Sequence, residues 1–192
     1  MTNWSIRAII ILVMSRSYNF AFIDGANLHF TYENLNWKLD YQKLRNYLKK
    51  KLDVSVAYYF IGKSEEYKDI YMNLETYDYT IKLKDPSPYI TEEEYCPYCK
   101  KLIAPEIQRY KSDCDSFMTL QVLLDSHIYD KAVLITSDGD FDNLIKRLLL
   151  QDKLKMIFAP CRAGCSWLLK SAAKGRIAFI DDYKDELEKL ER

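Results

Sequence analysis

Short apolar runs alternate with helical patterns along most of this chain, and this alternation restricts the fold more than any other feature. The runs at Tyr18–Ile23, Val54–Phe60 and Ala132–Thr136 are rich in aromatic and β-branched residues, as buried strands are. Helical patterns follow such runs, with Asp40 as a predicted cap of one helix and Asp115 as the start of another. We therefore predict an α/β fold in which a mostly parallel central sheet carries helices on both faces.

Size and charge describe an ordinary globular domain. The chain has 192 residues, and its 28 basic residues equal its 28 acidic residues. This length is sufficient for one domain with a full core. The zero net charge argues against a bulk electrostatic binder of nucleic acids, although it leaves room for a local basic groove.

The predicted domain organisation has four parts. Residues 1–17 form an N-terminal extension, residues 18–180 form the main domain, and residues 181–192 form a C-terminal helix. An insertion at about 85–108 interrupts the main domain, because the motif CPYC and three further prolines break the pattern there. The apolar segment Ile6–Met14 is too short to cross a bilayer. It is either an extra strand or helix against the core or, in the preferred interpretation, part of an extension that precedes a natural start at Met14.

Acidic residues stand at the ends of two predicted strands. Asp24 ends the first run in AFIDGANL, and Asp138 and Asp140 follow a later run in ITSDGDF. The carboxyl ends of parallel strands share the sheet edge at which open α/β folds bind ligands. Three carboxylates repel one another unless a cation joins them, and Mg²⁺ and Mn²⁺ take oxygen ligands. The pattern predicts a divalent-metal site that acts on phosphates, while an ordinary helix N-cap remains the alternative role for each single Asp.

Three motifs in order support a more specific assignment. FIDGANL, then a Lys-x-x-Cys-Asp segment that opens a helix, then ITSDGDFDNLI together resemble the NYN domain of the PIN-like nuclease superfamily. The resemblance covers about Tyr18 to Ile180. It implies a Rossmann-like, PIN-like three-layer sandwich whose acidic pocket binds Mg²⁺ or Mn²⁺ and cleaves RNA.

The resemblance also implies roles for individual residues. The catalytic and metal-binding acids are Asp24, Asp115, Asp138 and Asp140. The substrate-binding residues are Asn27, Lys111 and Ser137. One position departs from the family pattern, since Gln121 stands where NYN sequences commonly carry a further acid, and Asp125 lies one turn beyond it.

The cysteines raise a separate question. Cys96 and Cys99 in CPYC have the spacing of a zinc knuckle, and Cys161 and Cys165 form the other close pair. Both pairs follow strands on the carboxyl side, so one structural Zn²⁺ held by all four is one interpretation, and a turn with free thiols is the other. The odd number of cysteines without a secretory signal favours reduced thiols and a cytoplasmic protein.

These features favour a metal-dependent endoribonuclease. The alternatives are a non-catalytic RNA-binding adaptor of the same fold, to which Gln121 points, and a relative that cuts DNA. RNA is the expected partner, a membrane is not, and a homodimer is compatible with the sequence.

Overall fold

A computed structural model describes residues 18–33 and 37–190. The predicted N-terminal extension and the start at Met14 lie outside these described residues. Within them, no helix combines the length and the apolar character that crossing a membrane requires.

The helices and strands of the described residues have the following bounds. The strands are β1 (Asn19–Asp24), β2 (Val54–Gly62), β3 (Thr80–Lys84), β4 (Ser87–Thr91), β5 (Glu94–Tyr95), β6 (Leu102–Ala104), β7 (Ile107–Lys111), β8 (Ala132–Ile135), β9 (Leu154–Ala159) and β10 (Ile177–Phe179). The helices are α1 (Gly25–Glu33), α2 (Tyr41–Lys51), α3 (Lys68–Thr76), α4 (Asp115–Leu124), α5 (Asp142–Leu150), α6 (Trp167–Ala172) and α7 (Lys184–Leu187).

A six-stranded sheet with the order β10, β9, β8, β1, β2, β3 forms the centre of the fold. Every neighbouring pair in this sheet is parallel. Strands β1 and β8 are adjacent, and Ile23 is paired with Ile135. The carboxyl ends of these two strands are therefore neighbours in the middle of the sheet, and the predicted mostly parallel α/β fold is confirmed.

Side-chain alternation along the strands separates two buried layers. Phe20 and Phe22 of β1 belong to one apolar cluster, whereas Ala21 and Ile23 belong to the other. Helices α4, α5 and α6 contribute to the first cluster, and α1, α2, α3 and α7 contribute to the second. Because successive residues of a strand point to opposite faces, this pattern buries both faces of the sheet and produces three layers.

Between β3 and α4 the chain forms an antiparallel excursion, which we call the arm (residues 87–111). Strand β4 pairs with β7, and β5 pairs with β6 nearer the tip. The strand residues of the arm are exposed apart from Thr91 and Ala104, which are half-buried. The arm thus occupies the region of the predicted insertion and extends a few residues beyond it, to Lys111.

Some helices are shorter than the sequence pattern predicted. The pattern predicted for Asp115–Ile128 gives α4 followed by a 3-10 turn at Asp125–His127. The C-terminal helix predicted for residues 181–192 is a 3-10 turn at Ile180–Tyr183 followed by α7. It ends there because Glu188 leaves the helical conformation and pairs with Leu39 in a β-bridge. The pattern of apolar and charged residues does not show at which residue a helix ends.

Candidate metal centre

Asp24 is the buried end of β1 and the cap of α1. Its side chain is only 5% exposed. One carboxylate oxygen accepts a hydrogen bond from the backbone N–H of Asn27 (3.0 Å), and the other accepts one from the Thr136 hydroxyl (3.1 Å). The first bond is that of a helix N-cap. Asp24 therefore joins the start of α1 to the segment that follows β8.

The segment after β8 is fixed by a second set of bonds. The Asn27 side-chain oxygen accepts hydrogen bonds from both the backbone N–H and the hydroxyl of Ser137, each at 2.9 Å. The backbone N–H of Asp138 donates to the Thr136 hydroxyl oxygen (3.1 Å), and an Asp138 carboxylate oxygen accepts from the backbone N–H of Asp140 (3.0 Å). These bonds hold the two acids of the SDGD motif in one defined turn.

Asp115 enters from a different element, at the first residue of α4. The Asp113 carboxylate accepts a hydrogen bond from the Asp115 backbone N–H at 3.2 Å. Asp113 thus satisfies one of the N–H groups that a helix leaves unpaired at its start, while Asp115 extends the first turn. Asp115, and not Asp113, lies with the other site acids.

Three carboxylates converge at this edge of the sheet. One oxygen from each of Asp115, Asp138 and Asp140 lies within 4.8 Å of the other two. Desolvation by burial raises the pKa of Asp115 to about 6, and the negative charges of Asp24, Asp113, Asp138 and Asp140 add to this effect. Burial also raises the pKa of Asp24, with a further contribution from Asp138. The carboxylates of the site therefore repel one another, and a bound cation would offset this repulsion.

The donor set fits a hard divalent cation. It consists of carboxylate oxygens alone, the ligand type that Mg²⁺ and Mn²⁺ prefer. Asp115, Asp138 and Asp140 are the residues that would hold the ion. Asp24 lies behind them and affects Asp115 through its charge, but it is not among the three acids whose oxygens form the close group.

A groove of about 540 Å³ lies between residues at the end of β3 and residues of α4. Its walls are formed by Leu83, Lys84, Asp85, Ser87, Ser116, Phe117 and Leu120. Ser116 and Phe117 directly follow Asp115 in α4, so the groove lies within one helical turn of that acid. Lys84 and Thr136 were not predicted as site residues, although both stand at or just beyond the carboxyl end of a strand of the main sheet.

Two other predicted positions have local partners. Lys111 is largely exposed, and its Nζ lies 3.9 Å from a carboxylate oxygen of Asp113. The Gln121 side-chain amide donates to the Asp125 carboxylate at 2.8 Å. Gln121 lies six residues after Asp115 and Asp125 lies ten residues after it, which corresponds to about 9 Å and about 15 Å along the helix axis. Asp125 is not one of the three acids whose oxygens form the close group, so it does not replace a missing acid there.

The structure does not bring the four cysteines of the predicted zinc site together. Cys96 and Cys99 lie near the tip of the arm, whereas Cys161 and Cys165 are buried in the segment after β9. The arm follows β3, which is four strand positions from β9, or about 19 Å at the usual strand spacing. The two pairs follow strands toward opposite edges of the sheet, and the arm does not bring Cys96 and Cys99 to Cys161 and Cys165.

Gly25 gives a first test of the packing behind Asp24. A Cβ atom at this position would lie 2.6 Å from the backbone oxygen of Phe60 and 2.3 Å from a ring carbon of Tyr59. We expect Gly25→Ala to lower the free energy of unfolding by about 1–3 kcal/mol, as overpacking does. Urea denaturation measures this loss. Gly164→Ala is the control, because its Cβ would meet only the Cys161 sulfur at 3.2 Å, and equal stabilities of the two variants would contradict the close approach at Gly25.

The bonds between Asn27 and Ser137 give a second test. Asn27→Ala leaves the buried Ser137 N–H without its side-chain acceptor, so we expect a loss of about 1–2 kcal/mol in unfolding free energy. Ser137→Ala removes only the hydroxyl and keeps the N–H bond, and its loss should be smaller. The same denaturation measurement compares the two, and a larger loss in Ser137→Ala would contradict this role of Asn27.

Comparison with known proteins agrees with this architecture. A crystal structure of a protein of unknown function from Vibrio parahaemolyticus superposes with a TM-score of 0.66 at 19% identity, covering 91% of this chain and 98% of that one. The Low amplitude and bright protein LabA of Synechococcus elongatus is 23% identical over 178 residues, covering 89% of this chain and 88% of LabA. The first similarity shows a shared fold, and the second extends over nearly all of both sequences.

The family model of the NYN domain matches residues 20–181. The match begins within β1 and ends just after β10, so it includes the central sheet except Asn19 and all the acids described above. The resemblance noted from the motifs is thereby confirmed, and this chain is a member of the NYN domain family.

Proposed function

We propose that this protein is a metal-dependent endoribonuclease that hydrolyses RNA phosphodiester bonds. The observation that carries the proposal is the convergence of Asp115, Asp138 and Asp140, with the buried Asp24 behind them. The nuclease-like fold of the NYN family supports it. Acids that come from two separate elements, α4 and the turn after β8, are difficult to explain as helix caps alone.

Each acid has a distinct task in this proposal. Asp115, Asp138 and Asp140 hold the divalent cation, which when bound would supply an activated water and neutralise charge on the phosphate. Asp24 orients the turn after β8 through Thr136 and adds the fourth negative charge. Asn27 maintains the same turn through Ser137, so in our view both residues act by positioning.

The groove beside α4 suggests how a single strand would approach. Lys84 supplies a positive charge for a phosphate, and Phe117 and Leu120 supply apolar surface for a base. A groove of about 540 Å³ suits one or two nucleotides of a single strand better than a duplex. We therefore propose single-stranded RNA, or a single-stranded part of a structured RNA, as the substrate class.

Cleavage of labelled single-stranded RNA, single-stranded DNA and duplex RNA tests the proposal directly. We expect cutting of single-stranded RNA with Mn²⁺ or Mg²⁺, none with EDTA, and little cutting of the duplex. Preferential cutting of DNA would identify the DNA-cutting alternative. Equal cutting with EDTA would exclude a mechanism that depends on a divalent metal.

The RNA-binding adaptor remains a second candidate because of one observation. Gln121 occupies the position of a commonly acidic residue and is bonded to Asp125. An adaptor would bind the same RNA with an affinity that is indifferent to Mn²⁺ and EDTA, without cutting it. Fluorescence anisotropy with the labelled RNA, run beside the cleavage assay, distinguishes the two functions.

A further inference from the structure

The tip of the arm carries a cysteine pair that the proposed nuclease function does not use. Cys99 is exposed and Cys96 is partly exposed, and both are free thiols. Tyr98 between them is 94% exposed, and Tyr95, Leu102 and Ile103 nearby are also exposed. Two free thiols beside exposed apolar side chains form a surface that a partner is expected to cover.

The backbone around this pair has the form of a metal-binding knuckle. The backbone N–H of Lys100 donates to the Cys96 carbonyl at 3.0 Å, and the N–H of Cys96 donates to the Lys101 carbonyl at 2.8 Å. Lys100 has a φ of 57°, in the left-handed region, which closes the turn. Hydrogen bonding from the backbone of Cys99 and of Tyr98 lowers the pKa of the Cys96 thiol. Such hydrogen bonds stabilise a thiolate, the form that binds zinc.

One arm provides only half of a structural zinc site. Such a site takes four ligands in tetrahedral geometry. Among the described residues, the Asp115, Asp138 and Asp140 group is the one set of three or more potential ligands, so no third ligand joins Cys96 and Cys99. Residues 1–17, 34–36 and 191–192, which lie outside the described part of the chain, contain neither Cys nor His. The missing pair of ligands must therefore come from outside this chain.

We propose that two copies of this chain share one Zn²⁺ at their arm tips, with Cys96 and Cys99 of each copy as its four ligands. A two-fold axis brings the same surface of each subunit together, so two identical pairs of thiolates complete the site. Four thiols release their protons when the ion binds. The exposed Tyr98 and its apolar neighbours would then lie against the second copy. The zero net charge of the chain produces no overall repulsion between copies.

Zinc titration of the reduced, zinc-free full-length protein, in excess Mg²⁺ that occupies the carboxylate centre, tests this site. We expect saturation at about one zinc per two chains, and a dimer in light scattering that returns to monomer when a chelator removes the metal. Co²⁺ in place of Zn²⁺ should give the absorption of a tetrahedral tetrathiolate. Saturation at one zinc per chain, no zinc binding, or a dimer that survives chelation would each overturn the proposal.

Two variants locate the ligands. Cys96→Ser should abolish zinc binding and the zinc-dependent dimer together, because it removes two of the four ligands from each assembly. Cys161→Ser is the matched control, and it should keep both properties, since the Cys161 sulfur lies outside any such group. Loss of zinc in Cys161→Ser would instead identify a four-cysteine site within one chain. Cys96 lies in the exposed arm, and a Ser at position 161 can still accept the hydrogen bond that the Gly164 N–H donates to the Cys161 sulfur, so circular dichroism should show both variants folded.

Discussion

The Asp138→Asn variant is expected to cleave RNA about 10²–10³-fold more slowly than the wild type, because loss of one charged ligand removes several kcal/mol of transition-state stabilisation. The substituted amide oxygen can still accept the hydrogen bond that the Asp140 N–H donates to Asp138. The turn should therefore persist while the charge is lost. Single-turnover cleavage with saturating Mn²⁺ measures the rate, and thermal unfolding of the same sample shows that the variant is folded.

Asp113→Asn is the matched control for this variant. Asp113 is exposed and lies two residues before Asp115, whose backbone N–H donates to its carboxylate. Asn caps a helix about as well as Asp, so the change removes a nearby negative charge and keeps the local structure. We expect an activity within a few-fold of the wild type. A large loss in Asp113→Asn together with normal activity in Asp138→Asn would show that the acidic group has been assigned to the wrong residues.

The sequence contains enough information to bring the acids to one edge. Phe20 to Ile23 alternate between two apolar layers, and Asp24 ends the alternation, which identifies a buried strand with a polar tip. The same holds for Ala132 to Ile135 and the SDGD turn. The sequence does not say that these two strands are neighbours, since strand order depends on how the connecting helices pack on the two faces. The family motifs supplied that information.

Contacts between distant segments were harder to anticipate. Asn27 and Ser137 were both predicted to bind substrate, yet they bond to each other across 110 residues. The two cysteine pairs were considered as one zinc site, but the order of strands places them on opposite sides of the sheet. A motif shows which residue types are present and how far apart they lie in sequence. Which of these residues contact one another depends on the order of the strands in the sheet.

Mn²⁺ is expected to stabilise the folded protein strongly near neutral pH. At a free concentration a thousandfold above its Kd, binding to the native state alone adds about 4 kcal/mol to the free energy of unfolding. Protons and Mn²⁺ compete for the same carboxylates. Because the pKa of Asp115 is raised to about 6, protons already compete with the metal at pH values above 5. At about pH 5, one unit below this pKa, Asp115 is mostly protonated. Mn²⁺ must displace that proton, so the stabilisation by Mn²⁺ should be smaller by about 1.4 kcal/mol. Urea denaturation with Mn²⁺ and with EDTA at both pH values measures the effect.

Asp115→Asn separates the proton from the metal. In the metal-free wild type the raised pKa means that the folded state binds more protons than the unfolded state, so stability falls as pH rises from about 4 to about 6. Removing this carboxylate should therefore stabilise the metal-free protein at about pH 7.5 by on the order of 1 kcal/mol, after allowance for solvent screening, and this gain should vanish near pH 4. The same variant should lose most of the stabilisation by Mn²⁺. A metal-free variant that is less stable than the wild type at the higher pH, yet gains as much from Mn²⁺, would show that Asp115 neither repels its neighbours nor binds the ion.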